Sequence, residues 1–323
     1  MNLLTKIPLS KANNQIDYSS RLLLMGSCFS ENIGAKLSHY KFQGLQNPFG
    51  ILFHPLAIEK LIQKAVTQET FNEGIVFQAN EQWHCFDAHS CISNPSKEQL
   101  VVDLNTGLDQ TAEQLKVASH VIITLGTAWV YRNRDSGEIV ANCHKVPQTN
   151  FTKELLSVDE VRESLKRITT LIQSVNSSTH VIFTVSPVRH LKDGFVENQR
   201  SKAHLISAIH QTIETSNFSP RVSYFESYEI MMDELRDYRF YAKDMIHPNE
   251  IAIDYIWEKF VEVWINDSIT DDMKKVDEVQ RGLQHRPFNP ESEAHQKFLT
   301  SLSKKIAYIR KAYPFMDFEI SKA

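Results

Sequence analysis

Three apolar runs in this chain each stop at a turn of small residues. Arg21-Leu-Leu-Leu-Met25 stops at Gly26, Val117 to Leu125 at Gly126, and His180 to Val185 at Ser186-Pro187. Val222-Ser-Tyr-Phe225 is a shorter fourth. Short apolar runs bounded by turn residues read as strands buried on both faces. Helical patterns fill the intervals. Ser30 to Leu37 reads as a helix start, Val158 to Val175 has apolar residues at helical spacing, and another helix is expected from about Glu197 to Ile213. This alternation predicts an α/β fold with a parallel sheet covered on both faces. In such folds functional groups gather at the carboxyl ends of the strands. Here those ends are Gly26-Ser27-Cys28, Gly126-Thr127-Ala128 and Ser186-Pro187-Val188, whose small residues let backbone approach a ligand closely.

Two stretches break the alternation. Residues 71–104 are polar and aromatic, with Trp83-His-Cys-Phe-Asp87-Ala-His89 inside, and read as an insertion or β-rich flap. From about Asp267 the chain is more charged and lacks strand patterns, and Glu291 to Tyr313 reads as a terminal helix approached through Pro287 and Pro290. The expected organisation is an α/β domain over residues 1–266 and a helical extension over 267–323.

Composition narrows the partners. Of 323 residues 42% are hydrophobic, enough for a core, and the net charge of -4 gives no strong pull toward nucleic acid or an anionic membrane. No apolar stretch reaches the roughly 18 to 20 residues that cross a bilayer. The stretch Met1 to Pro8 lacks the basic start and apolar run of a secretory leader, so a cytoplasmic location is expected. Cys28, Cys85, Cys91 and Cys143 form no C-x-x-C pair and are expected to be free thiols. His84, Asp87 and His89, or Cys143 with His144, do not match a recognised metal-ligand spacing, and neither a metal nor a cofactor is expected.

The turn after the first run carries chemistry. A thiol or hydroxyl between a strand and a helix meets the free N–H groups and positive dipole end of the helix, which favour a thiolate and hold an oxyanion. Cys28 and Ser27 both occupy this turn. Asp244-Met-Ile-His247-Pro248-Asn249 supplies a base: a carboxylate three residues before a histidine can fix the imidazole tautomer while the ring deprotonates a nucleophile. The bland alternatives are a packing thiol at Cys28 and a helix-capping aspartate at Asp244. Asn142-Cys-His144-Lys145 reads as a loop over the site, with His144 and Lys145 available to an anionic substrate, or as an ordinary polar turn.

Gly26-Ser-Cys-Phe-Ser30 resembles the signature of the GSCFA family. Asn47-Pro-Phe-Gly-Ile51, Leu125-Gly-Thr-Ala-Trp129, Asn142-Cys-His-Lys-Val-Pro147, Ser186-Pro-Val188 and Asp233 to Tyr241 followed by Asp244-x-x-His247-Pro look like the same family, over roughly residues 5–265. That family is placed with the SGNH (GDSL-like) hydrolases. The resemblance implies a three-layer α/β/α sandwich with a flavodoxin-like parallel sheet, and an acyl substrate, small molecule or glycan. It also implies roles. Gly26 matches the glycine of the first block, Ser27 falls on its aspartate and Cys28 on its nucleophilic serine, with Ser27 the chemical rival. Gly50, in the turn from Asn47, matches the glycine that donates to the oxyanion. The third block reads Gly126-Thr127-Ala128, without the usual asparagine, for which Thr127 or Asn142 would substitute. Asp244 and His247 match the last block as they stand. A thiol in the serine's place suits thioester chemistry or acyl transfer as well as ester hydrolysis. The missing asparagine leaves a silent ligand-binding module as the alternative, since an unreplaced oxyanion donor costs about 100- to 1000-fold.

Overall fold

A computed structural model describes residues 5–215 and 221–318. Residues 1–4 of the amino-terminal stretch and 319–323 of the expected extension lie outside the described residues. The central sheet has five parallel strands: β1 (Arg21–Gly26), β2 (Gln43–Gln46), β5 (His120–Leu125), β9 (His180–Val185) and β10 (Val222–Phe225). Their spatial order is β10-β9-β5-β1-β2. Taken in chain order these strands run 2-1-3-4-5, the flavodoxin-like arrangement.

Alternate residues of each strand feed two cores. Leu23, Met25, Val121, Ile123, Val181 and Phe183 face one side, with α2 (Pro55–Thr67), α3 (Lys97–Val117), α4 (Val158–Val175) and α5 (Phe195–Thr215) packed against them. Leu22, Leu24, Ile122 and Ile182 face the other, under α1 (Cys28–His39) and α7 (Glu250–Trp264). The two-residue alternation of a strand thus produces three layers. Trp257 and Trp264 are buried core residues of the second face. A short turn α6 (Ser227–Glu229) links β10 to the chain leading into α7.

The expected flap begins as a β-hairpin of β3 (Val76–Ala79) and β4 (Gln82–Cys85). It ends sooner than the polar composition predicts. Ser96 caps α3 by accepting from the Gln99 N–H, and Leu100, Leu104, Leu108 and Leu115 form that helix's buried stripe. Charged residues on its outer face hide the stripe from a reading by composition. Because α3 runs to Val117, the apolar run from Val117 to Leu125 contains a helix end as well as β5. Beyond β5 the chain forms a small antiparallel sheet, β7-β6-β8, from β6 (Trp129–Asn133), β7 (Ile139–Val140) and β8 (Phe151–Leu155). At the carboxyl end of the chain α8 (Thr270–Gln284) and α9 (Glu293–Ala312) contribute Val276, Val279, Leu302, Ile306 and Ile309 to the second core. No described helix is long and apolar enough to cross a membrane.

Candidate functional site

The connections from β1 and β5, neighbours in the sheet, leave toward opposite faces. This divergence is the topological switch point, the place of the ligand-binding crevice in sheets of this order. Gly26 ends β1 at φ +142°, and a Cβ there would run into the Thr124 carbonyl. The glycine lets the chain turn against β5, where the Ser27 N–H donates to Thr124 O at 3.0 Å. Ser27 then caps α1. Its Oγ accepts from the Phe29 N–H at 3.3 Å, and the residue is fully buried. Cys28, the first residue of α1, keeps partial exposure. Its thiol is pushed up, first by burial and then by Glu31 one turn along the helix. Lys202 and the N–H groups of Cys28 and Phe29 act in the opposite direction. The helix terminus acts on the thiol in the sense expected, but burial outweighs it.

The other expected donors are mostly engaged. Asn47, at φ +41°, accepts the Gly26 N–H on Oδ1 at 2.9 Å, while its buried Nδ2 has no hydrogen-bond partner. The Gly50 N–H donates to Asn47 O at 2.8 Å, closing a tight turn, so it is not offered to a ligand. The Gly126 and Thr127 N–H groups both donate to Phe53 O. The Thr127 hydroxyl accepts from the Trp129 N–H and exchanges a hydrogen bond with Ser201. Thr127 is therefore part of the sheet's scaffolding and does not replace the missing asparagine.

Asn142 and His144 are not the substrate loop that their polarity predicts. Asn142 Oδ1 accepts the His144 N–H at 2.8 Å within the turn. The His144 ring is buried beneath the hairpin, beside Phe77 and His84, with Nε2 2.7 Å from Cys85 O. Burial pushes it down to about 4, which keeps it neutral and unsuited to holding an anion. Phe77 of the hairpin and Phe86, just after it, supply apolar surface against the ring.

Asp244 and His247 form a pair. Asp244 Oδ2 lies 2.6 Å from His247 Nδ1. Its Oδ1 accepts the backbone N–H groups of Ile246 and His247 at 2.9 and 3.0 Å. These bonds, that from the His247 N–H foremost, hold the carboxyl down to about 2. A carboxylate only accepts, so in the neutral ring Nδ1 carries the proton and Nε2 keeps its lone pair. Both side chains are about half exposed, and Asn249, not Asp244, caps α7. The loop is tied to the carboxyl end of β9: the Arg189 N–H donates to Ile246 O at 3.2 Å, and the Arg189 guanidinium lies over the Tyr241 ring. Among the described residues no hydrogen bond joins His247 to Cys28 or Ser27.

Two further residues complete the crevice. Lys202, on α5, is 1% exposed, and its Nζ donates to Gly126 O and Ser186 O, both at 2.7 Å. It thereby pins the carboxyl ends of β5 and β9 together. Burial pushes its ammonium down to about 7, against the pull of the Cys28 thiol. His190 follows β9 by a few residues. Its ring meets Phe53 edge-on, and its buried Nε2 faces Gly126 without a hydrogen-bond partner. Burial, then Lys202 and His247, push it down to about 3. The readable sign of Lys202 was its place on the buried stripe of α5 with Ser201, Leu205 and Ile209. His190 was within reach of the rule that strand ends carry function. No group of three or more His, Cys, Asp or Glu among the described residues is placed to hold a metal.

The model of the GSCFA family matches residues 21–260, most of the chain. This chain belongs to the GSCFA family. The family's C-terminal domain matches residues 276–322, the region of α8 and α9 in this GSCFA protein. No curated protein matches it. Among solved structures, an acetyl xylan esterase from the rumen bacterium Butyrivibrio proteoclasticus is similar at 10% identity and a TM-score of 0.40, over 81% of this chain and 66% of the esterase. The GSCFA chain thus spans just under two thirds of that esterase's length.

Proposed function

We propose that this GSCFA protein is an acyl hydrolase or acyltransferase acting on an ester or thioester of a small molecule or glycan. The observation that carries the reading is the Asp244–His247 pair, whose hydrogen bonding leaves Nε2 as a base at the edge of the crevice. Cys28 is the nucleophile. The Ser27 hydroxyl is fully buried and occupied as a helix cap, which supports the thiol over its neighbour.

The Cys28 proton passes to His247 Nε2 and the sulfur attacks the acyl carbon, sending the carbonyl electrons to oxygen. That oxyanion accepts from the Cys28 N–H, with the unpartnered Asn47 Nδ2 as a further donor on the β2 side. Collapse expels the alcohol or thiol, which takes the proton from His247, and leaves a thioester on Cys28. Water, or an acceptor hydroxyl, then attacks with His247 again taking the proton, and the Cys28 thiol departs.

Turnover of p-nitrophenyl acetate and of an acetyl thioester tests this. Cys28→Ala and His247→Ala are expected to lose at least about 100-fold in kcat/KM. Ser27→Ala should keep most of the activity and lose about 1 kcal/mol of stability with its cap. Undiminished turnover in Cys28→Ala would exclude the thiol. The second reading, a silent ligand-binding module, is favoured by the engaged N–H groups of Gly50, Gly126 and Thr127. It would be established if the wild type neither turns over acyl probes nor forms an acyl adduct at Cys28 by mass spectrometry.

A further inference from the structure

The crevice lacks an asparagine after Gly126, and the backbone donors of that strand end are spent on Phe53 O. An acyl-transfer site without a donor at this strand end would leave the developing oxyanion to the Cys28 N–H and, on the β2 side, Asn47 Nδ2. The space beside Gly126 is nevertheless occupied by a nitrogen. β1 and β5 are parallel with Gly26 beside Thr124, so the turn at Gly126 lies next to the turn at Cys28. Against Gly126 sits His190 Nε2: a Cβ on that glycine would be 3.1 Å from it. This nitrogen is buried and has no hydrogen-bond partner. Leaving a buried polar atom unpaired costs about 1–3 kcal/mol, so such an atom in a native fold calls for an explanation, a catalytic role being one.

The ring's placement is built. The His190 N–H donates to Asn198 Oδ1 at 2.9 Å, which fixes the backbone from α5. The ring lies edge-on to Phe53, centroids 5.4 Å apart and planes at 83°, on the same residue whose carbonyl consumes the Gly126 and Thr127 N–H groups. Lys202, one turn beyond Asn198 on α5, braces the Gly126 carbonyl.

We infer that His190 is a catalytic residue of the acyl-transfer site, donating from Nε2–H to the oxyanion in the place of the absent asparagine. The inference rests on the acyl-transfer reading of Cys28. In the tetrahedral intermediate the negative oxygen accepts from the Cys28 N–H on one side and His190 Nε2–H on the other. No proton is transferred to it. The proton relay remains with His247. Because burial beside Lys202 keeps the imidazole neutral, it keeps an N–H for donation without itself acting as an acid.

The experiment compares His190→Phe, His190→Gln and wild type on p-nitrophenyl acetate and an acetyl thioester, with the rate of Cys28 alkylation by iodoacetamide measured in parallel. Alkylation needs the thiolate and forms no oxyanion. His190→Phe keeps the ring's packing and loses the donor, so kcat should fall about 100-fold or more, with KM within about threefold. Its alkylation rate should stay within about threefold of wild type. His190→Gln, which restores an N–H donor, should recover at least about tenfold of that loss. Undiminished kcat in His190→Phe, with turnover still dependent on Cys28, overturns the role of His190 and leaves the acyl-transfer reading standing. Absence of Cys28-dependent turnover in the wild type overturns both. If both variants lose activity and alkylation together, with a lowered melting temperature, His190 is a packing residue and the inference fails.

Discussion

Lys202 shows how much one side chain can set in this site. The helix stripe that carries Leu205, Ala208 and Ile209 has an amine toward its crevice end, 1% exposed. Burying a charge there is costly, and the group gives up its proton more readily. A neutral amine has two N–H donors, matching the two carbonyls that accept from it. Ionising Cys28 draws the proton back, so lysine and thiol titrate as a pair. Lys202→Met removes the positive partner. The midpoint of Cys28 alkylation by iodoacetamide is therefore expected to move to higher pH, and the rate at pH 8 to fall below that of wild type. The same substitution strands two buried carbonyls, at about 1–3 kcal/mol. A midpoint that stays put in a folded Lys202→Met protein would remove the lysine from the chemistry of Cys28.

The elements explain which parts of this arrangement are legible in the sequence. β1, β5 and β9 are inner strands, buried on both faces, and so announce themselves as apolar runs with a turn at the end. β2, Gln43-Gly-Leu-Gln46, is an edge strand with a single apolar residue, Leu45, to advertise it. β7 is two residues long, and α8 buries only Met273, Val276 and Val279 among charged neighbours. The Asp244–His247 pair is legible because the two residues are close in sequence. The positions of Lys202 and His190 leave a local trace, but their contacts, like the engagement of Thr127, run across the fold, and no local pattern encodes them. The turn after β1 is the element on which the site hangs, and Gly26 is its least replaceable residue. Gly26→Ala adds a Cβ against the Thr124 carbonyl at a φ that L-residues rarely adopt. A loss of about 3 kcal/mol or more is expected, read as a lower urea midpoint at unchanged m. A midpoint within experimental scatter of wild type would show that the turn can be rebuilt without it.

At the scale of the whole molecule, buried neutral histidines join the layers. His54, on the loop into α2, uses both ring nitrogens. Nδ1 accepts the Ala57 N–H at 3.2 Å and caps α2, while Nε2–H donates to Val140 O at 3.1 Å, linking the helix to the small antiparallel sheet. His180 joins neighbouring strands through Ser223 Oγ, 2.9 Å from Nε2. Burial pushes His54, His144 and His180 each down to about 4. A second proton on His54 would turn its capping acceptor into a donor facing another N–H. The unfolded chain takes up protons at these residues near pH 6.5, while the folded chain resists until near pH 4. Stability from them is therefore complete above about pH 6.5 and is lost as pH falls toward 4. For His54 the loss is on the order of 3 kcal/mol over that window. His54→Asn, which keeps a capping oxygen but cannot titrate, should be less stable than wild type at pH 8. Its stability should then fall less steeply on acidification, by up to about 1.4 kcal/mol per pH unit. Urea melts from pH 8 to 4 measure both curves. Carboxylates titrate in both proteins and cancel in the difference, so parallel curves would mean that His54 protonates as readily in the folded chain as in the unfolded one.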